Sequence, residues 1–163
     1  MEFRLREYRP EDLELLWRID QNCFAPGIAY SRRELGAYIR RQGAFTLVAE
    51  QAPPCGSLSP SIAGFIVAEA RRGQGHILTI DVLPGSRRFG LGSKLLLTAE
   101  DRLRGLSCDV VVLETAVDNA AALTFYKRHQ YTVARVVPHY YQSGVDALLL
   151  AKDLSPGVRT ATR

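Results

Sequence analysis

Two groups of residues in this sequence have types and spacings that could do chemistry. The first is a glycine-rich segment from Arg87 to Ser93, Arg-Arg-Phe-Gly-Leu-Gly-Ser, which lies where an extended pattern ends and a helical pattern begins. Glycines let the backbone approach a ligand closely, and unpaired N–H groups at a helix start suit an anion. The segment therefore predicts a phosphate-binding turn, although a glycine pair before a helix is also compatible with an ordinary turn.

Two known phosphate motifs do not fit this segment. The Walker motif requires Lys and then Ser or Thr directly after its last glycine, whereas Gly90 is followed by Leu and Gly92 by Ser. The dinucleotide motif G-x-G-x-x-G fails at its third glycine, where Leu95 stands. The pattern that remains is R-x-x-G-x-G, which begins at Arg87.

The second group consists of Glu114, Asn119 and Tyr126. Glu114 closes an apolar run that predicts a buried strand, and Asn119 stands at the start of the next helical pattern. Tyr126 follows Asn119 by seven residues, about two helical turns, so the two share a helix face with Ala122 between them. Each residue also has an ordinary structural interpretation: a solvated strand end, a helix N-cap and a core aromatic.

Hydrophobic periodicity predicts the elements that must position these residues. We expect strands at 3–7, 45–50, 62–70, 76–83, 109–114, 131–137 and 145–152, and helices at about 10–23, 31–39, 90–105 and 119–129. A capping box from Ser31 to Glu34 begins the second helix, and Gly105 is expected to end the third. Residues 51–60 read as a Pro/Ser-rich loop. The order predicts an α+β fold: a mixed, mostly antiparallel sheet of about seven strands with one parallel step, flanked by about four helices on both faces.

Composition excludes several other classes. A chain of 163 residues with 47% apolar and 23% charged residues suits one globular domain, expected at 1–154 and followed by a flexible tail at 155–163. No apolar run approaches the roughly 20 residues of a membrane span, and the N-terminus lacks the apolar core of a signal peptide. We therefore expect a cytoplasmic protein with no membrane partner.

Cysteines and histidines predict neither a disulfide framework nor a metal site. The three cysteines (Cys23, Cys55 and Cys108) are widely spaced, and the three histidines are scattered. The net charge of +4 comes from basic residues that are spread in pairs rather than gathered in one stripe, so nucleic acid is not expected as a partner.

Taken with the strand order, the two residue groups resemble the GNAT acetyltransferase superfamily over roughly residues 3–153. Residues 113–126, with Tyr140 and Tyr141 later, are most similar to the ribosomal-protein-alanine N-terminal acetyltransferase branch. The chain departs from that branch in the first inter-helix loop, where Gly27 stands in place of a Trp. It departs again at 129–131, where His-Gln-Tyr replaces the common x-Gly-Phe.

The resemblance implies acetyl-CoA as cosubstrate and no metal. It implies that the CoA diphosphate binds the backbone amides of 87–93, that pantetheine pairs with strand backbone at 80–82, and that Asn119 contacts the CoA arm. The expected cofactor-binding residues are Ile80, Asp81, Val82, Arg87, Arg88, Phe89, Gly90, Leu91, Gly92, Ser93, Asn119 and Tyr126.

The implied reaction is acetyl transfer to a primary amine by direct attack in a ternary complex. We expect Glu114 to be the general base, directly or through one water, and Tyr126 the general acid for the CoA thiolate. A backbone N–H within 80–82 is expected to stabilise the oxyanion, and no cysteine nucleophile is required.

The expected acceptor is the N-terminal α-amine of a protein. A small-molecule amine, a lysine side chain and a non-catalytic acyl-CoA-binding module stay open as alternatives, as do monomer and homodimer. The substrate-binding residues are expected to be Phe24, Tyr30, Tyr140 and Tyr141. Because adjacent strand residues face opposite ways, at most one of the last two should line the site if the strand geometry persists.

Overall fold

The computed structural model describes residues 1–155, which form a seven-stranded sheet with helices on both faces. The strands are β1 (Phe3–Glu7), β2 (Ala44–Gln51), β3 (Ser61–Arg71), β4 (Gln74–Val82), β5 (Val110–Ala116), β6 (Thr132–Val137) and β7 (Ala147–Asp153). The helices are α1 (Leu13–Cys23), α2 (Arg32–Ile39), α3 (Leu91–Gly105) and α4 (Ala120–Arg128), and 3-10 turns at Pro10–Asp12 and Pro84–Ser86 precede α1 and α3. The order of elements and the α+β fold predicted from the sequence are confirmed.

The strands lie in the order β1-β2-β3-β4-β5-β7-β6. Neighbouring strands are antiparallel, except for β4 and β5, which are parallel. The parallel pair requires a long crossover, and α3 provides it between the end of β4 and the start of β5. This is the single parallel step that the sequence predicts.

Apolar side chains of the helices bury both faces of the sheet. On one face α1 and α2 pack Leu16 and Leu35 against Phe65 of β3. On the other face α3 contributes a stripe of fully buried residues at the predicted four-residue spacing, from Leu91 to Leu103. Burial of these stripes is the main force that holds the helices on the sheet.

Local signals place the helix ends. The predicted capping box of α2 is confirmed: the Glu34 N–H donates to Ser31 Oγ at 3.1 Å, and the Ser31 N–H donates to the Glu34 carboxylate at 2.7 Å. Helix α3 ends at Gly105 as expected, but the left-handed residue that turns the chain is Ser107, with φ 64°.

Two expectations concern the ends of the chain and its relation to a membrane. Apart from Ser155, the tail predicted at 155–163 lies outside the described residues. Among residues 1–155, none of the helices combines the length and hydropathy that crossing a bilayer requires.

The two parallel strands diverge soon after they meet. Gln74–His76 of β4 pair with Val110–Val112 of β5, and no pairing between the two strands follows. Strand β4 nevertheless continues to Val82 and β5 to Ala116. The facing backbone edges beyond His76 are therefore open to a ligand.

A β-bulge explains the divergence. Val67 and Ala68 are consecutive in β3, yet they pair with Thr79 and Ile77, so Leu78 is an extra residue in β4. A bulge bends its strand and increases the local twist, which turns β4 away from β5 at this point.

One ion pair joins α3 to the sheet through the core. The Glu100 carboxylate is fully buried, and Lys152 Nζ of β7 donates to both of its oxygens. A buried charge that loses its partner is strongly destabilising, whereas an exposed pair contributes little. The exposed pair between Asp101 and Arg104 provides a comparison on the same helix.

We predict that Lys152→Met lowers the free energy of unfolding by about 3–5 kcal/mol, because Met fills the volume but leaves Glu100 buried without its cation. Urea denaturation measures the change. The control variant Asp101→Asn removes the exposed pair and should change stability by less than about 0.5 kcal/mol. Equal stability of the two variants would contradict the prediction.

Candidate active site

The divergence of β4 and β5 opens a cleft of about 1040 Å³. Its walls come from β4, β5, the glycine-rich turn, α4 and the α1–α2 and β6–β7 loops. The predicted site residues that line it are Phe24, Tyr30, Ile80, Val82, Arg87, Arg88, Gly90, Leu91, Gly92, Ser93, Glu114, Asn119, Tyr126, Tyr140 and Tyr141.

Two predicted cofactor-binding residues do not line the cleft. The Asp81 side chain is buried, where it accepts a hydrogen bond from Thr79 Oγ1 at 2.5 Å. Phe89 is 53% exposed. The sequence predicts cofactor contacts of their backbone, and for these two residues that stays a prediction.

The glycine-rich turn presents free backbone donors to one end of the cleft. Gly90 is the N-cap of α3 with φ 79°, and the first helical hydrogen bond runs from the Lys94 N–H to the Gly90 carbonyl. Within residues 1–155, the amides of Arg88–Ser93 donate to no protein group. Free N–H groups at a helix N-terminus bind anions, so this end of the cleft suits a phosphate.

Glu114 pairs with a histidine at the point where the strands part. Glu114 Oε2 lies 2.7 Å from His76 Nε2, and both side chains are partly buried. His76 is the last residue of β4 that pairs with β5, opposite Val112. Glu114 lies two residues after Val112 in β5. Its side chain is therefore on the same face of the sheet as the side chain of His76.

Two further side chains extend the Glu114–His76 pair toward the outer surface. His76 Nδ1 lies 3.7 Å from Glu69 Oε1, and Arg41 Nη1 donates to the same carboxylate at 3.1 Å. Sequence reasoning missed His76, because it considered the histidines only as metal ligands. The signal that could have identified it is the predicted parallel pairing of the two strands that carry His76 and Glu114.

Helix α4 supplies Asn119 and Tyr126 to the cleft on one face, as the sequence predicts. Asn119 is also the N-cap, since its Oδ1 accepts from the Ala122 N–H at 3.1 Å. This leaves the amide nitrogen of Asn119, which donates to no group within residues 1–155, available for a ligand.

Tyr126 is both a core residue and part of the cleft wall. Its ring packs edge-on against Phe125 and Tyr131, and only 6% of the residue is exposed. Burial, with smaller effects from nearby Asp81 and Tyr141, raises the pKa of the Tyr126 phenol well above its ordinary value. The phenol therefore keeps its proton and is able to donate it in a hydrogen bond.

Tyr30 anchors the α1–α2 loop to the bulge of β4. Its phenol donates to the Leu78 carbonyl at 3.1 Å, and its N–H donates to Asp20 Oδ2 at 2.7 Å. Its own carbonyl accepts from Trp17 Nε1 at 3.2 Å. The loop that forms one wall of the cleft is thus fixed to the strand that opens the cleft.

The Asp20 carboxyl also lies beside Asp81, and both side chains are almost completely buried. Burial raises the pKa of Asp20 to about 6, and burial and the neighbouring acid raise the pKa of Asp81 well above its ordinary range. Two carboxyls in contact can share one proton, which removes one of the two buried charges.

Tyr140 and Tyr141 both line the cleft, their rings edge-on with centroids 4.9 Å apart. The expectation that at most one of them does so assumed strand geometry. The two residues lie instead in the loop between β6 and β7, so the alternation of a strand does not apply to them.

The α1–α2 and β6–β7 loops touch each other at Gly27. A Cβ at this position would lie 3.0 Å from Ser143 Cβ and 3.1 Å from the Ser143 amide nitrogen, and φ of Gly27 is 85°. Glycine at the position where the branch that the chain resembles has Trp therefore has a structural role. It lets the α1–α2 loop contact the β6–β7 loop.

The sequence is similar to a known protein family and to several curated relatives. Residues 12–131 match the acetyltransferase (GNAT) family. An uncharacterised N-acetyltransferase of Methanocaldococcus jannaschii is 30% identical over 149 residues, which cover 91% of this chain and 90% of the relative. An N-alpha-acetyltransferase of Sulfurisphaera tokodaii is 35% identical over 82 residues, which span 50% of this chain and 49% of the relative.

Solved structures share the fold. Ard1 from Thermoplasma volcanium superposes with a TM-score of 0.81 at 26% identity, covering 94% of this chain and 98% of that one. The ribosomal-protein-S18-alanine N-acetyltransferase of Escherichia coli has a TM-score of 0.79 at 22% identity and 98% coverage of both chains. NAA60 of Arabidopsis thaliana, solved with acetyl-CoA, has a TM-score of 0.79 at 21% identity, covering 93% of this chain and 98% of that one.

The cleft wall also contains a thiol, Cys23, that could be mistaken for a nucleophile. Its Sγ donates to the Val82 carbonyl at 3.4 Å, and burial, assisted by Asp81, raises the pKa of the thiol to about 11. A thiol with that pKa is ionised to only about one part in a thousand at pH 8, so Cys23 is a poor nucleophile.

We predict that native protein at pH 8 reacts with iodoacetamide first at the exposed Cys55 and at least about tenfold more slowly at Cys23. Peptide mass mapping of timed samples measures the order. Buried Cys108 serves as an internal reference for a protected thiol, and all three cysteines should react once the protein is unfolded. Labelling of Cys23 as fast as Cys55 would refute the assignment.

Proposed function

The chain belongs to the acetyltransferase (GNAT) family, and from this premise we propose that it transfers acetyl from acetyl-CoA to the α-amine of a protein or peptide N-terminus. The observation that carries the proposal is the cleft between β4 and β5. Free amides lie at one end of this cleft, and a carboxylate–histidine pair lies where the strands part.

Acetyl-CoA fits the cleft along its length. We place the diphosphate on the free amides of Arg88–Ser93, where Arg87 adds positive charge while its Nε holds the turn to the Val82 carbonyl at 2.9 Å. The extended pantetheine can pair with the open edge of β4 at Ile80–Val82 as an added strand would. Asn119, whose amide nitrogen donates to no group within residues 1–155, lines the same cavity. In support, NAA60 of Arabidopsis thaliana was solved with acetyl-CoA.

The acceptor is assigned to an α-amine on chemical and structural grounds. An α-amine has a pKa near 7.7–8.0, so about a tenth to a fifth is neutral at pH 7, whereas only about one lysine amine in two thousand is neutral. The phenols of Tyr140 and Tyr141 on the acceptor wall can hydrogen bond a peptide backbone. The Sulfurisphaera tokodaii relative is named an N-alpha-acetyltransferase.

The chemical step follows from this placement. Before the attack, Glu114 accepts a proton from the ammonium form of the amine, directly or through one water, and His76 at 2.7 Å orients the carboxylate. The neutral amine then attacks the thioester carbon, the C–S bond breaks, and the product is an amide and free CoA thiol. The second nitrogen proton is lost as the amide forms and replaces the proton that Tyr126 gives to sulfur. Tyr126 donates its proton to the departing sulfur, and a backbone N–H of the open β4 edge stabilises the oxyanion.

Matched peptides test the proposed acceptor. Incubation with acetyl-CoA and a peptide that has a free α-amine and an acetylated lysine should release CoA thiol faster than the same peptide with the two groups exchanged. A small polyamine serves as the third acceptor. Faster release with the free lysine or the polyamine would overturn the N-terminal assignment. Saturable CoA binding without release from any acceptor would indicate a non-catalytic module.

The two proposed catalytic side chains should respond differently to pH. In Glu114→Gln, kcat/KM should fall most below about pH 7, where the α-amine is protonated, and approach the wild-type value above about pH 9. In Tyr126→Phe, kcat should fall on the order of 10²-fold at every pH from 6 to 9, because the phenol stays protonated throughout.

Steady-state rates across this range measure both effects, and CoA affinity should stay within about threefold of wild type in each variant if the effects are catalytic. A deficit in Glu114→Gln that does not change with pH would remove Glu114 as the base. Unchanged kcat in Tyr126→Phe would remove Tyr126 as the acid.

A further inference from the structure

The first turn of α3 is linked to the end of α4 by a hydrogen bond that the proposed reaction does not use. Ser93 Oγ lies 2.9 Å from His129 Nε2. The His129 ring packs on Phe125 with centroids 4.8 Å apart, and a Cβ at Gly92 would touch the same Phe125 ring at 3.4 Å. The Ser93 hydroxyl therefore connects the His129 ring to the glycine-rich turn that carries the free amides.

The direction of this hydrogen bond determines what Ser93 can offer to a ligand. A hydroxyl has one proton to donate, and a histidine nitrogen is either a donor or an acceptor. If Ser93 donates to His129, its proton is no longer available to an anion in the cleft. If His129 donates to Ser93 Oγ, the hydroxyl proton can turn to the anion and add a donor to the row of backbone amides.

The groups around His129 decide its charge. Partial burial lowers the pKa of the imidazole, Lys152 of β7 and Arg128 of α4 lower it further, and Glu100 of α3 opposes them. Glu100 is itself paired with Lys152. Together these effects favour the neutral form of the ring at pH 7. A diphosphate bound at the turn would bring negative charge close to the ring and favour its protonated form.

We propose that His129 is a positioning residue for the cofactor diphosphate: it donates through Nε2–H to Ser93 Oγ, directs the Ser93 hydroxyl proton to the diphosphate, and takes up a proton when the diphosphate binds. This inference rests on the acetyl-CoA site proposed above. It assigns a role to His129, which stands at the variable position of the x-Gly-Phe pattern in the family that the chain resembles.

Dephospho-CoA is the probe that tests the inference. It keeps the diphosphate but lacks the terminal phosphomonoester of CoA, whose own ionisation near pH 6 would imitate proton uptake. The chain has only three histidines, so their ring signals can be followed individually by NMR from pH 5.5 to 8.0. His129→Gln and His139→Gln identify their two signals by loss.

We expect the titration midpoint of His129 to rise by at least about 0.5 unit when dephospho-CoA saturates the protein, which corresponds to roughly threefold tighter binding at low pH than at high pH. The exposed His139 is the reference, and its ring signal should not respond to the probe. Calorimetry should detect net proton uptake near the His129 midpoint.

Two variants separate a positioning role from a merely structural one. In His129→Gln the pH dependence of the dissociation constant should lose this component, while any slope that survives belongs to other groups such as Asp20. In Ser93→Ala the hydroxyl is absent, so affinity should fall about threefold or more at all pH values. His139→Gln is the matched control and should bind dephospho-CoA as wild type does.

The outcomes distinguish this inference from the proposed function. Saturable binding of dephospho-CoA with an unchanged His129 midpoint would overturn the role of His129 and leave the acetyl-CoA site in place. The same conclusion would follow if His129→Gln kept the full wild-type pH dependence. No saturable binding at any pH would overturn the acetyl-CoA site, and the role of His129 with it.

Discussion

The cleft of this fold depends on the divergence of its two parallel strands. Strands β4 and β5 share three residue pairs and then diverge at the bulge of Leu78. Continued pairing would satisfy the backbone edges within the sheet and close the cleft. The divergence instead leaves extended backbone open to a ligand, and it sets His76 at the closed end beside Glu114. The hydrogen bond from the Tyr30 phenol to the Leu78 carbonyl joins the α1–α2 loop to the bulge. The position of this cleft wall therefore depends on the geometry of β4.

Each side of the sheet buries an ionisable pair against a helix, and the buried charge is compensated differently in the two pairs. Under α3, Glu100 is neutralised by the ammonium group of Lys152. Under α1, Asp20 lies beside another acid, and a proton shared between the two carboxyls can remove one of the buried charges. The first pair fixes the helix whose N-terminus presents the free amides. The second lies beneath the loop that Asp20 holds through the Tyr30 N–H.

The sequence predicts the elements well because their signals are local. The four-residue spacing of α3, the capping box at Ser31 and the glycines at the start of α3 each depend on neighbours in the chain. The pairing of His76 with Glu114 depends on strand register, which links residues 38 positions apart and leaves no trace in local periodicity. The contact between Gly27 and Ser143 is equally remote. The sequence therefore indicates Glu114 as a candidate base but not the histidine beside it.

Asn119 and Tyr126 indicate why structural and functional interpretations of one residue need not compete. Asn119 uses its oxygen to cap α4, and the cap fixes the orientation of a side chain that also lines the cleft. Tyr126 packs in the core, and the same burial raises the pKa of its phenol and keeps the proton in place. Side chains held by packing lose little freedom when a ligand arrives, so their alignment is set in the folded chain before binding. The contacts that stabilise this corner of the fold are thus the contacts that would orient the reacting groups.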